Sequence, residues 1–95
     1  MTVEFGRRAT TQLAAIFSYI AREDPGAAGR VVARIEKVAD LLEDFPEAGQ
    51  PASRQPRLRW IAVPRTPYLI FYTILRDRSV RIVRVMHGAR QRHRP

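Results

Sequence analysis

Residues 68–75 read YLIFYTIL, and this octet sets the tightest limit on what the chain can become. A strand with one face in water carries a polar residue at every second position, whereas here only Thr73 is polar. The pattern is that of a central strand covered on both sides. At eight residues it falls far short of the roughly 18 needed to cross a bilayer as a helix. The flanking strings PRTP and RDRS are short enough for hairpin connections, so Leu58–Val63, Tyr68–Leu75 and Val80–His87 are predicted to form an antiparallel meander.

Ahead of the meander the apolar period changes. From Arg8 onward, Ala9, Leu13, Ile16, Phe17 and Ile20 recur at helical spacing, with Arg8, Gln12, Ser18 and Arg22 turned away. REDPG ends that helix. Asp24 is placed to cap a second helix, and Pro25 suits its first position because the missing N–H costs nothing there. The second helix is predicted to run to about Asp44, burying Ala28, Val31, Val32, Ile35, Val38, Ala39, Leu42 and Phe45, and to stop at Pro46. EAGQPASRQP, residues 47–56, reads as a surface loop. Thr2–Phe5 is a short β-prone segment stopped by Gly6.

The predicted fold is therefore α+β, β-α-α-β-β-β, a helical hairpin packed on one face of a small, mainly antiparallel sheet. Ninety-five residues make it a single domain. Alternation puts Leu58, Trp60 and Ala62 on one side of the first long strand and Arg57, Arg59 and Ile61 on the other. In the last strand Arg81 and Arg84 have opposite parity, so one of the two is expected to face the helix side or to lie at a frayed edge.

Charge divides the chain in two. Residues 1–56 carry a net charge of −1, while residues 57–95 hold ten arginines against Asp77 alone, a net +9. A coding bias explains why sixteen of the seventeen basic residues are arginine. It does not explain why one half lacks counter-charge. Such a field attracts anionic partners, either nucleic acid or an acidic protein segment. There is no cysteine for a disulfide or a thiolate metal site, and MTVEF lacks a signal-peptide pattern, so a cytoplasmic protein without membrane attachment is expected. His87 and His93 have no third ligand nearby, and no glycine-rich phosphate cradle is present, so neither metal nor cofactor is expected.

FPEAG after the second helix, VPRTPYLIFY, and VRIVRVMHGAR near the end, in that order, resemble the ParE/RelE superfamily of type II toxin–antitoxin toxins. The resemblance spans the chain from the first strand to Arg90. In the RelE-like branch, a ribosome-dependent mRNA endonuclease, an arginine commonly follows the tyrosine that opens the central strand, and lysines stand on the preceding strand. The corresponding residues here are Leu69 and, near the lysine positions, Trp60 and Ala62. Of that cation set only Arg90 has a clear match.

The resemblance therefore favours the ParE-like branch, which implies inhibition of DNA gyrase by protein–protein contact and neutralisation in a hetero-oligomer by a ParD-like antitoxin. DNA would be met only through antitoxin or gyrase. An mRNA endonuclease using Arg90, His87 and a further arginine such as Arg84 or Arg65 is the alternative. An inactive relative kept as a binding partner or corepressor is a third. No catalytic residue is assigned.

The expected partner-binding set is Arg57, Arg59, Trp60, Arg65, Arg84, His87 and Arg90. Each has a plainer reading. Trp60 can pack under the helices with Leu58; Arg57, Arg59 and Arg65 can face solvent; His87 can be a hydrogen-bonded residue at a strand end. Arg90 opens a basic tail, residues 89–95, expected to be flexible because Gly88 breaks the strand.

Overall fold

The computed structural model describes residues 2–88. The tail expected over residues 89–95, and Arg90 with it, lies outside them. Helices α1 (Arg7–Ala21) and α2 (Pro25–Asp44) form the hairpin. The Asp24 carboxylate accepts a hydrogen bond from the Ala27 N–H at 3.0 Å and Pro25 fills the first turn, as the sequence predicts.

Five strands follow the order β1-β5-β4-β3-β2: β1 (Val3–Phe5), β2 (Gln50–Pro51), β3 (Leu58–Ala62), β4 (Tyr68–Ile74) and β5 (Val80–His87). β1 runs parallel to β5, and the other pairs are antiparallel. The predicted layer architecture is thus observed. The loop over residues 47–56 also supplies β2, whose two residues pair with Trp60 and Arg59. No local propensity announces that pairing, and Pro51 is tolerated because β2 is an edge.

The core lies on one side of the sheet. Ala9, Ile35, Ala39 and Leu42 from the helices meet Ile70, Tyr72, Val80, Ile82 and Val85 from the strands. β4 is covered on that side only: Tyr68, Ile70 and Tyr72 are buried, while Leu69, Phe71 and Thr73 are half-buried. The expectation of cover on both sides is corrected, since the chain supplies a single helical layer.

Three other expectations change with packing. Phe17 is 43% and Phe45 60% exposed, although both were predicted to be inside. The sheet takes up only the strip through Ala9, Leu13, Ile16 and Ile20, and Phe45 is the cap residue where the chain leaves α2. Gln12, predicted to face away, turns toward the sheet, where its Oε1 accepts from the Val85 N–H at 2.8 Å.

That N–H is next to a β-bulge. Tyr72 pairs with Ile82 but Phe71 pairs with Arg84, which leaves Val83 as an extra residue in β5. The bulge resets the alternation. Arg81, opposite Thr73, and Arg84, opposite Phe71, consequently share the face away from the helices. Neither arginine turns inward.

Candidate functional site

The uncovered sheet face is built in rows by strand register. Trp60, Phe71 and Arg84 form the central row, with Gln50 at its β2 end. Ala62, Leu69 and Met86 form a second row, and Leu58, Thr73, Arg81 and Glu4 a third. Trp60 and Leu58 are therefore not under the helices. Trp60 stands across from Phe71 on the open side, both half-buried by their neighbours.

Electrostatics on this face are simple. Arg81 is held by Glu4, with Nη2 to Oε2 at 2.9 Å and Nε to Oε2 at 3.0 Å. Arg84 has no carboxylate partner among the described residues; its Nη1 lies 3.8 Å from the Met86 sulfur. Among the described residues no histidine joins them. His87 stands opposite Tyr68, whose ring is buried on the helix side, and the two rings meet edge to face with centroids 5.6 Å apart. His87 and Arg84 thus lie on opposite sides of the sheet.

Arg59 is spent on structure. Paired with Tyr72 on the helix side, its Nη1 donates to the carbonyl of Gly49 at 2.7 Å and more weakly to that of Glu47 at 3.4 Å. The Tyr72 hydroxyl completes the clamp, donating to the Pro46 carbonyl at 2.7 Å and accepting from the Gly49 N–H at 2.8 Å. Burial pushes the Tyr72 pKa above its ordinary value, against the lowering effects of the Gly49 N–H and Arg59. Glycine is required at position 49, because a Cβ there would sit 2.7 Å from the Trp60 carbonyl oxygen and from the Tyr72 hydroxyl. FPEAG is therefore a strap held down by β3 and β4.

The remaining predicted residues disperse. Arg57 is exposed just before β3, and Arg65 is exposed at the β3–β4 hairpin tip with a left-handed φ of 64°. His87 lines an open groove of about 830 Å³ between the C-terminal half of α1 and the end of the sheet, together with Ile16, Tyr19, Ile20, Tyr68 and Val85. Tyr19, at 70% exposure, contributes to its wall. Of the six predicted residues among those described, strand register places only Trp60 and Arg84 together in one row of the open face.

Phe71, Leu69 and Met86 belong beside that pair and were missed as site residues. Alternation in YLIFYTIL already separates Leu69 and Phe71 from the core tyrosines and was the available signal. The arrangement offers apolar area and, in Arg84, a cation without a carboxylate partner among the described residues. Among those residues no three His, Cys, Asp or Glu side chains are grouped to hold a metal ion. No helix among the described residues is long and apolar enough to cross a membrane.

Comparison with known proteins agrees with the fold and the motifs. The family model for the ParE toxin of type II toxin–antitoxin systems, parDE, matches residues 3–92. Y4kP of Sinorhizobium fredii is 43% identical over 84 residues, which cover 88% of this chain and 84% of that protein. Toxin RelE2 of Caulobacter vibrioides is 41% identical over 83 residues, 87% of this chain and 90% of that one.

Among solved structures, one of a chromosomal ParDE system from P. aeruginosa superposes with a TM-score of 0.78 at 23% identity, covering 92% of this chain and 95% of that chain. Isolated E. coli RelE toxin superposes at 0.64 with 17% identity, covering 92% and 83%. These two likenesses establish the shared fold. Matched along nearly its whole length, the chain belongs to the ParE toxin family of type II toxin–antitoxin systems.

Proposed function

We propose that this toxin acts as the ParE-like branch implies: it inhibits DNA gyrase in the cytoplasm by protein–protein contact, performs no chemistry, and is neutralised by a ParD-like antitoxin. One observation carries the reading. Leu69 stands where the endonuclease branch carries an arginine and Trp60 and Ala62 near where it carries lysines, and strand register sets these three side by side on the open face. Stabilising charge on a phosphate in flight needs several donors aimed at it and a group that moves protons. Among the described residues Arg84 stands there without a histidine or free carboxylate, His87 is on the far side of the sheet, and Arg90 lies outside them.

The +9 half suits an antitoxin whose segment is acidic and apolar, since complementary charge speeds encounter and selects the partner. The groove beside α1 suits the apolar face of a helix from that segment. The endonuclease reading rests on Arg81 and Arg84 sharing one face, and a direct assay separates the two. Purified chain is expected to block gyrase supercoiling or accumulate cleaved DNA while leaving ribosome-bound mRNA intact. Cut mRNA with untouched gyrase would reverse the assignment. Leu69→Arg sharpens the test, because gain of mRNA cleavage over a silent parent would show that the missing cation separates the branches.

A further inference from the structure

Within that reading, we infer that the open sheet face, centred on Trp60 and Phe71 with Arg84 at its side, is the surface that grips the target. Its partner is a folded protein surface presenting a bulky apolar side chain with a carboxylate beside it.

Three observations converge on this face. β4 has the composition of a strand covered on both sides, yet the chain covers only one, so Leu69 and Phe71 lack the second layer their chemistry calls for. Second, β5 spends a bulge, supported by the Gln12–Val85 hydrogen bond, on keeping Arg84 outward; unbroken alternation would bury it under the helices. Bulges of this kind re-aim side chains near functional sites. Third, the two cations here are treated differently: Arg81 is paired with Glu4, whereas Arg84, across from Phe71, has no acidic partner among the described residues. An aromatic residue beside a half-buried arginine is the pairing of residue types enriched at interface hot spots.

Charge and shape choose among the occupants. A second copy docked through this face would oppose two cationic halves across a two-fold axis. Single-stranded nucleic acid needs a track of cations along its backbone, and among the described residues this face offers one arginine without an acidic partner, set among Leu58, Leu69 and Met86. The antitoxin segment has the concave groove beside α1, where a helix can lie. A sheet face with its aromatics at the centre suits the surface of a folded partner instead.

The test uses full-length Trp60→Ala, Arg84→Glu and Arg84→Lys, each checked for folding by circular dichroism and thermal melting. Two readouts are taken: the concentration giving half-inhibition of gyrase supercoiling, and binding to the cognate antitoxin. Trp60→Ala and Arg84→Glu are expected to raise the half-inhibiting concentration by about 30-fold or more, the effect of losing one hot spot. Arg84→Lys is expected to keep part of the inhibition, and all three to retain antitoxin binding. Unchanged inhibition by folded Trp60→Ala and Arg84→Glu would overturn the assignment. So would a parallel loss of antitoxin binding, a parental dimer that Trp60→Ala dissociates, or tight Trp60-dependent binding of a single-stranded oligonucleotide. A parent chain that leaves gyrase untouched removes the functional reading itself, and that result is visible before any variant is made.

Discussion

The two faces of the sheet are built from similar side chains to opposite ends. On the helix side, Ile70, Tyr72, Val80 and Ile82 are fully buried, and the polar atoms among them are matched. On the other side, Trp60, Leu69, Phe71 and Met86 are only half-buried, and a guanidinium stands among them without an acid. The first face converts apolar area into folding stability. The second keeps its area available for binding. What separates them is the single helical layer, since the central strand β4 is apolar enough to be covered twice.

The sharpest way to break this contrast is to truncate one residue on each face. Ile82→Ala is expected to cost about 2–5 kcal/mol in denaturant unfolding, through lost transfer energy and the cavity left behind. Phe71→Ala, a larger truncation, is expected to cost only about 1 kcal/mol, the scale of a cross-strand pair on an uncovered face. Equal losses would mean that the open face also contributes to the core.

Intermediate effects belong to the strap. Gly49→Ala forces a methyl into the Trp60 carbonyl and the Tyr72 ring and is expected to destabilise by about 1–3 kcal/mol. Tyr72→Phe, which strands the Gly49 N–H and the Pro46 carbonyl, should cost about 1–3 kcal/mol. Its pH dependence has a definite sign. Burial raises the folded-state pKa of Tyr72 above 10.0, so its contribution is complete below that pH and is lost as pH rises through the folded value. Denaturant midpoints should therefore fall at alkaline pH in the parent and fall less in Tyr72→Phe.

Gln12→Ala removes the acceptor for the Val85 N–H and is expected to cost about 1 kcal/mol. Because it loosens the bulge, it should also weaken target inhibition, an effect that crosses from one face to the other. The smallest stability change, at most about 1 kcal/mol, is expected for Glu4→Gln, whose ion pair with Arg81 is exposed. It frees a second cation on the open face, so association with an acidic partner should quicken at low salt even though melting barely moves.

Most of the fold was legible because its signals are local. Period 3.6 yields to period two after Pro46, Asp24 and Pro25 mark a helix start, and short polar strings mark the hairpins. The site was legible only in part. Leu69, Trp60 and Ala62 stood out as apolar occupants of cationic positions, but their contiguity needed the register of β3 on β4. The facing of Arg81 and Arg84 was misread because parity counting assumes an unbroken strand, and the bulge at Val83 depends on a glutamine 73 residues away from Val85 in sequence. Arg59 resembled its neighbours in sequence. Its role as a strap holder depends on carbonyls from a loop with no regular period.

The parallel pairing of Val3 with Val80 has a consequence in time. β1 cannot pair until β5 is in place, and β5 separates it from the rest of the sheet. Contacts between such distant segments form late and slowly. The sheet is therefore completed by its longest-range contact, and β5, which carries Arg84, is paired on both edges only when these two distant segments have met.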